Sequence, residues 1–89
     1  MANFVSVRHK VRDFSTWKSG YDTHLPKRVA AGLSEVHVLQ NAHDSNEVFI
    51  LFQAEDLSRA KAFTESADLR ETMQQVGVIE KPDIHFLNG

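Results

Sequence analysis

The stretch Glu47 to Glu55, EVFILFQAE, decides the fold because it has the pattern of a β-strand with two apolar faces. Successive side chains of a strand point to opposite faces of the sheet. One face carries Val48, Ile50, Phe52 and Ala54, and the other carries Phe49 and Leu51. Both faces of this strand therefore need to be covered by protein.

A second strand comes directly before it along the chain. Over Leu33 to Ala42, Val36 and Val38 alternate with other residues and are expected to share one face. The polar cluster His43-Asp44-Ser45-Asn46 predicts the turn that joins the two strands into a hairpin. A looser alternation over Met1 to Val11 predicts a first strand that is half buried.

Two helical segments complete the pattern. Asp13 is placed to cap the first one, and Pro26 interrupts it because proline lacks the N–H that would bond to an earlier carbonyl. Gly32 is placed to end this segment. Asp56 is placed to cap a second helix, and Ser66 is placed to cap its continuation.

A short final strand follows Pro82, where Ile84 and Phe86 share one face. The resulting order is β-α-β-β-α-β in a single domain spanning residues 1–89. Right-handed crossovers allow few layouts of this order, and the common one is a ferredoxin-like, four-stranded antiparallel sheet. Strands one and three are then central, and both helical segments cover one face. The expected fold class is α+β.

The other face of that sheet is expected to join two copies of the chain in a homodimer. The third strand places apolar side chains on this face, and an exposed apolar patch usually marks a partner surface. Long side chains from neighbouring strands could cover it instead, but ten Lys+Arg residues offer few such stems. Association would also supplement the small core of an 89-residue chain.

Composition narrows the classes of function. Ten Lys+Arg residues against twelve Asp+Glu residues give a formal charge of −2 without a basic run, which argues against nucleic-acid binding. The longest apolar run is too short for a membrane span, and no signal peptide is expected. The absence of cysteine excludes disulfides and thiolate metal sites, and it fits a cytoplasmic location.

Short segments along nearly the whole chain have the pattern of one superfamily. They are Val11-Arg12-Asp13-Phe14 with Trp17, Tyr21-Asp22, Arg28, Ala31-Gly32-Leu33, Asn46-Glu47-Val48, Ala60-Lys61-Ala62-Phe63, Leu69-Arg70 and Lys81-Pro82. The chain resembles the dimeric α+β barrel superfamily, and within it small uncharacterised proteins near the antibiotic-biosynthesis monooxygenase group. These segments are signals of the fold and not catalytic motifs.

That resemblance implies two ferredoxin-like protomers packed sheet against sheet, with ligands in the cavity between helices and sheet. The superfamily includes cofactor-independent monooxygenases, lactone isomerases, haem enzymes and proteins of unknown role. Monooxygenase-like relatives often carry a histidine in the second helix where this chain has Phe63. The resemblance therefore implies the place of the cavity and not the reaction.

His24 is the candidate acid or base. It shares a broad helical face with Trp17, Tyr21 and Arg28, and its ring titrates near neutral pH. Such a group beside a phenol and an indole could bind an aromatic acid or enol and move a proton. Tyr21 is then a catalytic hydrogen-bond donor, Arg28 binds an anionic group and Trp17 forms a wall. Alternatively, the two aromatic residues belong to the core, and His24 and Arg28 lie at the surface.

His9 and His85 are a second candidate pair for contact with a substrate. His9 lies at the end of strand one, and His85 lies near the start of the last strand, which should run antiparallel beside it. The two imidazoles could therefore be cross-strand neighbours on one face and form a pair in the pocket. Two histidines do not make a metal site, so no metal or other cofactor is expected. Haem is a weaker alternative, because nothing marks an axial position.

Residues and resemblance together predict a small-molecule-binding protein, and they leave open whether it is an enzyme. A cofactor-independent monooxygenase or isomerase acting on an aromatic or enolic substrate is the first hypothesis. The alternatives are a module that holds a small aromatic or acidic ligand without turnover, and a protein-interaction unit. No glycine-rich phosphate loop or dinucleotide fingerprint is present, which argues against nucleotide-dependent chemistry.

Overall fold

A computed structural model describes residues 2–89. The strands are β1 (Asn3–Lys10), β2 (Leu33–Asn41), β3 (Asp44–Ala54) and β4 (Asp83–Asn88). The helices are α1 (Phe14–Thr23), α2 (Leu25–Ala30), α3 (Leu57–Thr64) and α4 (Ala67–Gln75). The strands form one antiparallel sheet in the order β2-β3-β1-β4. The predicted βαββαβ order, with strands one and three central, is confirmed. Met1, with which the predicted first strand began, lies outside the described residues.

The three predicted N-caps are confirmed. The Asp13 carboxylate accepts a hydrogen bond from the backbone N–H of Thr16 at 2.9 Å. The Asp56 carboxylate accepts one from the N–H of Ser58 at 2.7 Å. The Ser66 hydroxyl accepts one in the first turn of α4 at 3.2 Å. Each bond pairs an N–H group that has no partner within its helix, so the helix starts are set locally.

The first helical segment is divided at Pro26, as predicted. α1 ends at Thr23, and α2 begins at Leu25 with the proline in its first turn. Gly32 follows α2 with φ of 78°, a left-handed conformation that favours glycine. The break places His24 between the two helices, as the C-cap of α1 and the N-cap of α2.

The hairpin turn is shorter than the sequence predicts. β2 ends at Asn41 and β3 begins at Asp44, so Ala42 and His43 alone form the turn. The Asn41 side-chain oxygen accepts a hydrogen bond from the backbone N–H of His43 at 2.8 Å. This hydrogen bond stabilises a turn of two residues, whereas the polar cluster His43-Asp44-Ser45-Asn46 predicted a turn of four.

β2 contains an irregularity at Val36 that the sequence pattern does not reveal. Its pairing with β3 shifts between Glu35 and His37. As a result Glu35 lies opposite Phe52 and Val38 lies opposite Ile50 on the helix side of the sheet. The prediction that Val36 shares a face with Val38 is wrong, because one extra residue reverses the alternation.

The core lies between the helices and one face of the sheet. For the face of β3 that carries Val48, Ile50, Phe52 and Ala54, the prediction that protein covers it is confirmed, since these side chains are at most 6% exposed. The buried apolar residues are Val5, Val11, Trp17, Tyr21, Leu33, Val48, Ile50, Phe52, Ala54 and Ala60.

Large apolar side chains remain exposed on the opposite face of the sheet. Leu39 is 55% exposed, Phe49 is 39% exposed and Leu87 is 42% exposed. The first two are paired across β2 and β3. Among residues 2–89, no helix has the length and apolar character needed to cross a bilayer.

Candidate functional site

A cavity of about 80 Å³ lies between the helices and the sheet. Most of its lining side chains are apolar, and they come from the helices and from all four strands. Five of the six candidate site residues line it: His9, Trp17, Tyr21, His24 and Arg28. The structure therefore brings together residues from β1, α1, α2 and the break between those two helices.

His9 reaches the cavity from β1, on the same face as the buried Val5. It is 3% exposed, and neither Nδ1 nor Nε2 has a hydrogen-bond partner in the described protein. Burial, and to a smaller extent the charge of Arg8, lowers the pKa of His9 to about 4. At neutral pH the ring therefore offers one N–H donor and one acceptor nitrogen to whatever lies beside it.

His85 does not reach the cavity. It lies opposite Ser6 and therefore on the face of the sheet that points away from the helices. His9 lies opposite Val48 of β3, and the pairing of β1 with β4 extends only to Arg8. The prediction that His9 and His85 are cross-strand neighbours is wrong. The register pairs odd residues of β1 with even residues of β4, so two odd-numbered histidines cannot share a face.

His24 lies where α1 ends. Its ring stacks on Phe63 with centroids 5.8 Å apart, and its side chain is 13% exposed. Nε2 is 3.9 Å from Asp68 Oδ2, too far for a hydrogen bond, and it has no other partner in residues 2–89. Burial lowers the pKa of His24, with Arg28 acting in the same direction and Asp68 against it. The imidazole is therefore neutral at pH 7 and has a carboxylate close by.

Tyr21 stacks on Trp17, with ring centroids 4.9 Å apart and planes inclined by 27°. Its hydroxyl donates a hydrogen bond to Glu35 Oε1 at 2.8 Å. Burial, followed by this bond, raises the pKa of Tyr21 well above its usual value. The phenol therefore holds its proton firmly and already has an acceptor.

Arg28 is a buried cation without a carboxylate partner. It is 6% exposed, and no carboxylate among residues 2–89 lies within 4.0 Å of its nitrogens. Nη1 donates to the backbone carbonyl of Tyr21 at 2.6 Å, and the guanidinium carbon lies 3.6 Å from the centroid of that ring. The alternative that placed Arg28 and His24 at the surface is wrong. A buried guanidinium of this kind favours an anionic neighbour.

Two polar residues of the site could not be found from the sequence. Glu35 faces the helices only because of the irregularity at Val36, which has no local signal. Asp68 comes near His24 only because α4 packs beside the break between α1 and α2. Within residues 2–89, no group of three or more His, Cys, Asp or Glu side chains could hold a metal ion.

No protein-family model and no curated protein sequence matches the chain. Solved structures match it along its whole length. A candidate antibiotic biosynthesis monooxygenase from Bordetella bronchiseptica superposes with a TM-score of 0.79 at 17% identity, covering 100% of this chain and 98% of its own. A similar candidate from Nitrosomonas europaea gives 0.75 at 17% identity, over 99% and 89% of the two chains. This chain has their fold.

A third structure widens the comparison. It is a mutant of SnoaB, a cofactor-independent oxygenase from Streptomyces nogalater, with a TM-score of 0.74 at 8% identity over 99% of this chain and 92% of that one. The predicted fold class, a ferredoxin-like α+β fold, is confirmed by these structures. At such identities the likeness concerns the fold alone.

Proposed function

We propose that the protein binds a small aromatic or enolic compound in its cavity and moves a proton to or from it, as a cofactor-independent monooxygenase or an isomerase does. One observation carries this proposal: nitrogens of His9 and His24 that lack protein partners are buried around an apolar cavity. Buried polar atoms normally have hydrogen-bond partners, so a ligand or water is needed to form the hydrogen bonds that these nitrogens lack. The shared fold with a cofactor-independent oxygenase supports the same proposal.

His24 is the proposed acid or base. A neutral imidazole with an unpartnered nitrogen is ready to accept a proton. The Asp68 carboxylate, 3.9 Å away, would stabilise the imidazolium that forms. His24 is also less buried than His9, so its charged form is disfavoured less strongly by desolvation.

The other lining residues have proposed binding roles. His9 would donate to and accept from a hydroxyl or enol of the ligand, because its neutral ring offers both functions. Arg28 would stabilise the anion left after proton removal. Trp17 and Tyr21 would form an aromatic wall, and the Tyr21 hydroxyl would act as a donor to the ligand only if it exchanged its bond with Glu35.

Oxygenation would follow from the same proton transfer. His24 would take a proton from a CH₂ group beside a carbonyl or, as in anthrone, conjugated with one through a ring, and the enolate would form next to Arg28. Dioxygen would add to that carbon to give a peroxide, which takes the proton back from His24. Cleavage of the O–O bond with loss of the second C–H proton would then release water and leave a new carbonyl group. The substrate supplies all the electrons that reduce one oxygen atom to water and place the other in the product, so no external reductant is consumed.

The experiment is incubation of the protein with anthrone or a quinol in the presence of dioxygen, with product followed by absorbance. We expect His24→Gln to lower kcat by about 100-fold, the usual contribution of a general acid or base. His43→Gln, which removes a histidine from the hairpin turn, is the matched control and should leave kcat unchanged. Unchanged turnover in His24→Gln would remove this residue from the mechanism.

A binding module without turnover is the second candidate. Phe63 stacks on His24 at the position where the resemblance would place a histidine, which favours this alternative. Thermal-shift measurements with the same compounds separate the two candidates. Stabilisation without product would support binding alone.

A homodimer through the outer face of the sheet completes the proposal. The exposed Leu39, Phe49 and Leu87 side chains form apolar surface that a second copy of the sheet would bury. A protein-interaction unit without a ligand has less support, because it leaves the buried histidine nitrogens unexplained. The cytoplasmic location stays a prediction, which cell fractionation tests.

A further inference from the structure

We propose that the cavity and an adjoining surface groove form one binding site for an elongated ligand with an aromatic head and a carboxylate end. The head would lie beside His9 and His24, and the carboxylate would lie in the groove next to Arg70 and Lys81. The inference rests on the proposed function, because it assumes that the cavity holds the head of a ligand.

The groove and the cavity share a boundary. The groove has a volume of about 720 Å³ and runs between α4 and the segment that leads into β4. Thr64, Met73 and Ile84 line both spaces. These three side chains are therefore a common wall, and a ligand that displaces them connects the two spaces.

The small volume of the cavity indicates that a ligand would occupy it together with the groove. An engineered apolar cavity of about 150 Å³ holds benzene, and the cavity of this protein is about 80 Å³. An aromatic ring fits only if part of the wall moves outward. Ligand pockets are usually about 300 to 1,000 Å³, a range that this protein reaches only with the groove.

The wall on the groove side is the part that can move. No residue of α4 is fully buried. Met73, which α4 contributes to the common wall, is an unbranched side chain that adapts its shape to a neighbour. A ring entering from the groove would therefore displace Met73 before it reached the histidines.

The groove offers apolar surface for the middle of such a ligand. Ile79 is 54% exposed and Phe86 is 38% exposed, and both line the groove. Exposed apolar side chains beside an internal cavity give an alkyl or aryl linker a continuous surface to cover.

Two cations in the groove have no carboxylate partner. Arg70 and Lys81 line it, and within residues 2–89 no carboxylate is within 4.0 Å of either charged group. The groove also contains Glu65 and Glu80, and Glu80 lies 3.6 Å from the guanidinium of Arg8. The two free cations favour a carboxylate at the open end of the ligand.

The chain's three isoleucines test the proposal directly. Ile50 lines the cavity, Ile79 lines the groove and Ile84 lines both. Isoleucine-methyl NMR spectra are recorded while the protein is titrated with phenylpentanoate, and separately with phenylpentanamide. We expect phenylpentanoate to shift all three methyl signals with a single dissociation constant.

Charge variants test the carboxylate end. We expect Arg70→Gln and Lys81→Gln each to weaken phenylpentanoate binding about threefold at low salt, and the double variant about tenfold. Binding of the uncharged amide should not change. The control is the double variant Arg12→Gln and Lys61→Gln, which removes two cations outside both spaces and should bind phenylpentanoate as the wild type does.

The outcomes separate the two proposals. Shifts at Ile50 and Ile84 without Ile79 would overturn the extended site and leave the cavity proposal standing. Shifts at Ile79 without Ile50 would overturn both, because the ring would lie outside the cavity. Equal weakening of acid and amide by the Arg70 and Lys81 variants would overturn the carboxylate assignment.

Discussion

The imidazole of His9 packs against the indole of Trp17, with ring centroids 5.4 Å apart and planes at 76°. Trp17 is the only tryptophan of the chain, is 2% exposed and lines the same cavity. Protonation of His9 and binding of a ligand in the cavity should therefore both change the surroundings of this one indole. Its fluorescence is a natural signal for the experiments that follow.

The first prediction concerns stability at acid pH. Unfolded His9 takes up a proton near its ordinary pKa of 6.5, while the folded ring does so only near pH 4. The unfolded state binds more protons between these values, so the free energy of unfolding falls by about 3 kcal/mol as pH drops from 6.5 to 4. His9→Leu should remove most of this loss, as measured by urea unfolding at a series of pH values.

His43→Gln is the control for this series, since it changes an exposed histidine in the turn. It should keep the wild-type dependence on pH. An unaltered slope in His9→Leu would contradict the assignment of the proton uptake to His9.

The second prediction concerns the close packing of α1 against the end of α4. A Cβ atom added at Gly20 would overlap with Val76 Cγ1. Gly20→Ala should therefore lower the free energy of unfolding by about 2 kcal/mol, although alanine is the better helix former. Adding Val76→Ala should restore part of the loss. Ser19→Ala, on the exposed side of the same helix, should be neutral, and a neutral Gly20→Ala would contradict the contact.

The third prediction concerns the pH dependence of turnover or binding. Asp68 raises the pKa of His24 against the larger effect of burial. Asp68→Asn should lower that pKa, so the acid limb of the kcat/KM profile should move to lower pH. NMR titration of the His24 ring measures the same shift without a substrate. A shift to higher pH would contradict a direct action of Asp68 on His24.

The fourth prediction concerns the outer face of the sheet. Phe49→Lys should convert the expected dimer to monomer, because a charge in an apolar interface is costly to bury. Analytical ultracentrifugation at micromolar concentration measures the mass. Val29→Lys, at a 62% exposed position of α2, should leave the dimer intact. A stable wild-type monomer would end the proposal of a sheet-to-sheet dimer.

The fifth prediction concerns Tyr21. Its hydroxyl is bonded to Glu35, so Tyr21→Phe should cost about 1 kcal/mol of stability and reduce turnover by less than threefold. A loss of turnover as large as that in His24→Gln would instead restore the catalytic donor role that the sequence predicts. Chemical denaturation and steady-state kinetics on the same variant distinguish the two results.

Features set by local chemistry were predictable from the sequence. The N-caps at Asp13 and Ser66 depend on one side chain and an N–H group within three residues, and the break at Pro26 depends on a missing N–H. The two apolar faces of the third strand also depend only on neighbouring residues, because alternation alone assigns Ile50 and Phe49 to opposite faces.

Features set by pairing register were not predictable. Predicting whether His85 lies beside His9 requires the register of β1 against β4. A difference of one residue in that register moves the His85 side chain to the opposite face of the sheet. The irregularity at Val36 brings Glu35 to Tyr21, and nothing in the local pattern marks it. Asp68 meets His24 across 44 residues of chain, a contact that depends on the packing of α4.

The lack of a fully buried residue in α4 affects how fast this helix opens and how fast a ligand can enter the cavity. A helix held by few buried contacts opens at a small free energy, while the sheet beneath it stays folded. Its backbone amides should therefore exchange hydrogen with solvent long before those of β1 and β3. A ligand would then enter and leave at the opening rate of one short helix, independently of the stability of the domain as a whole.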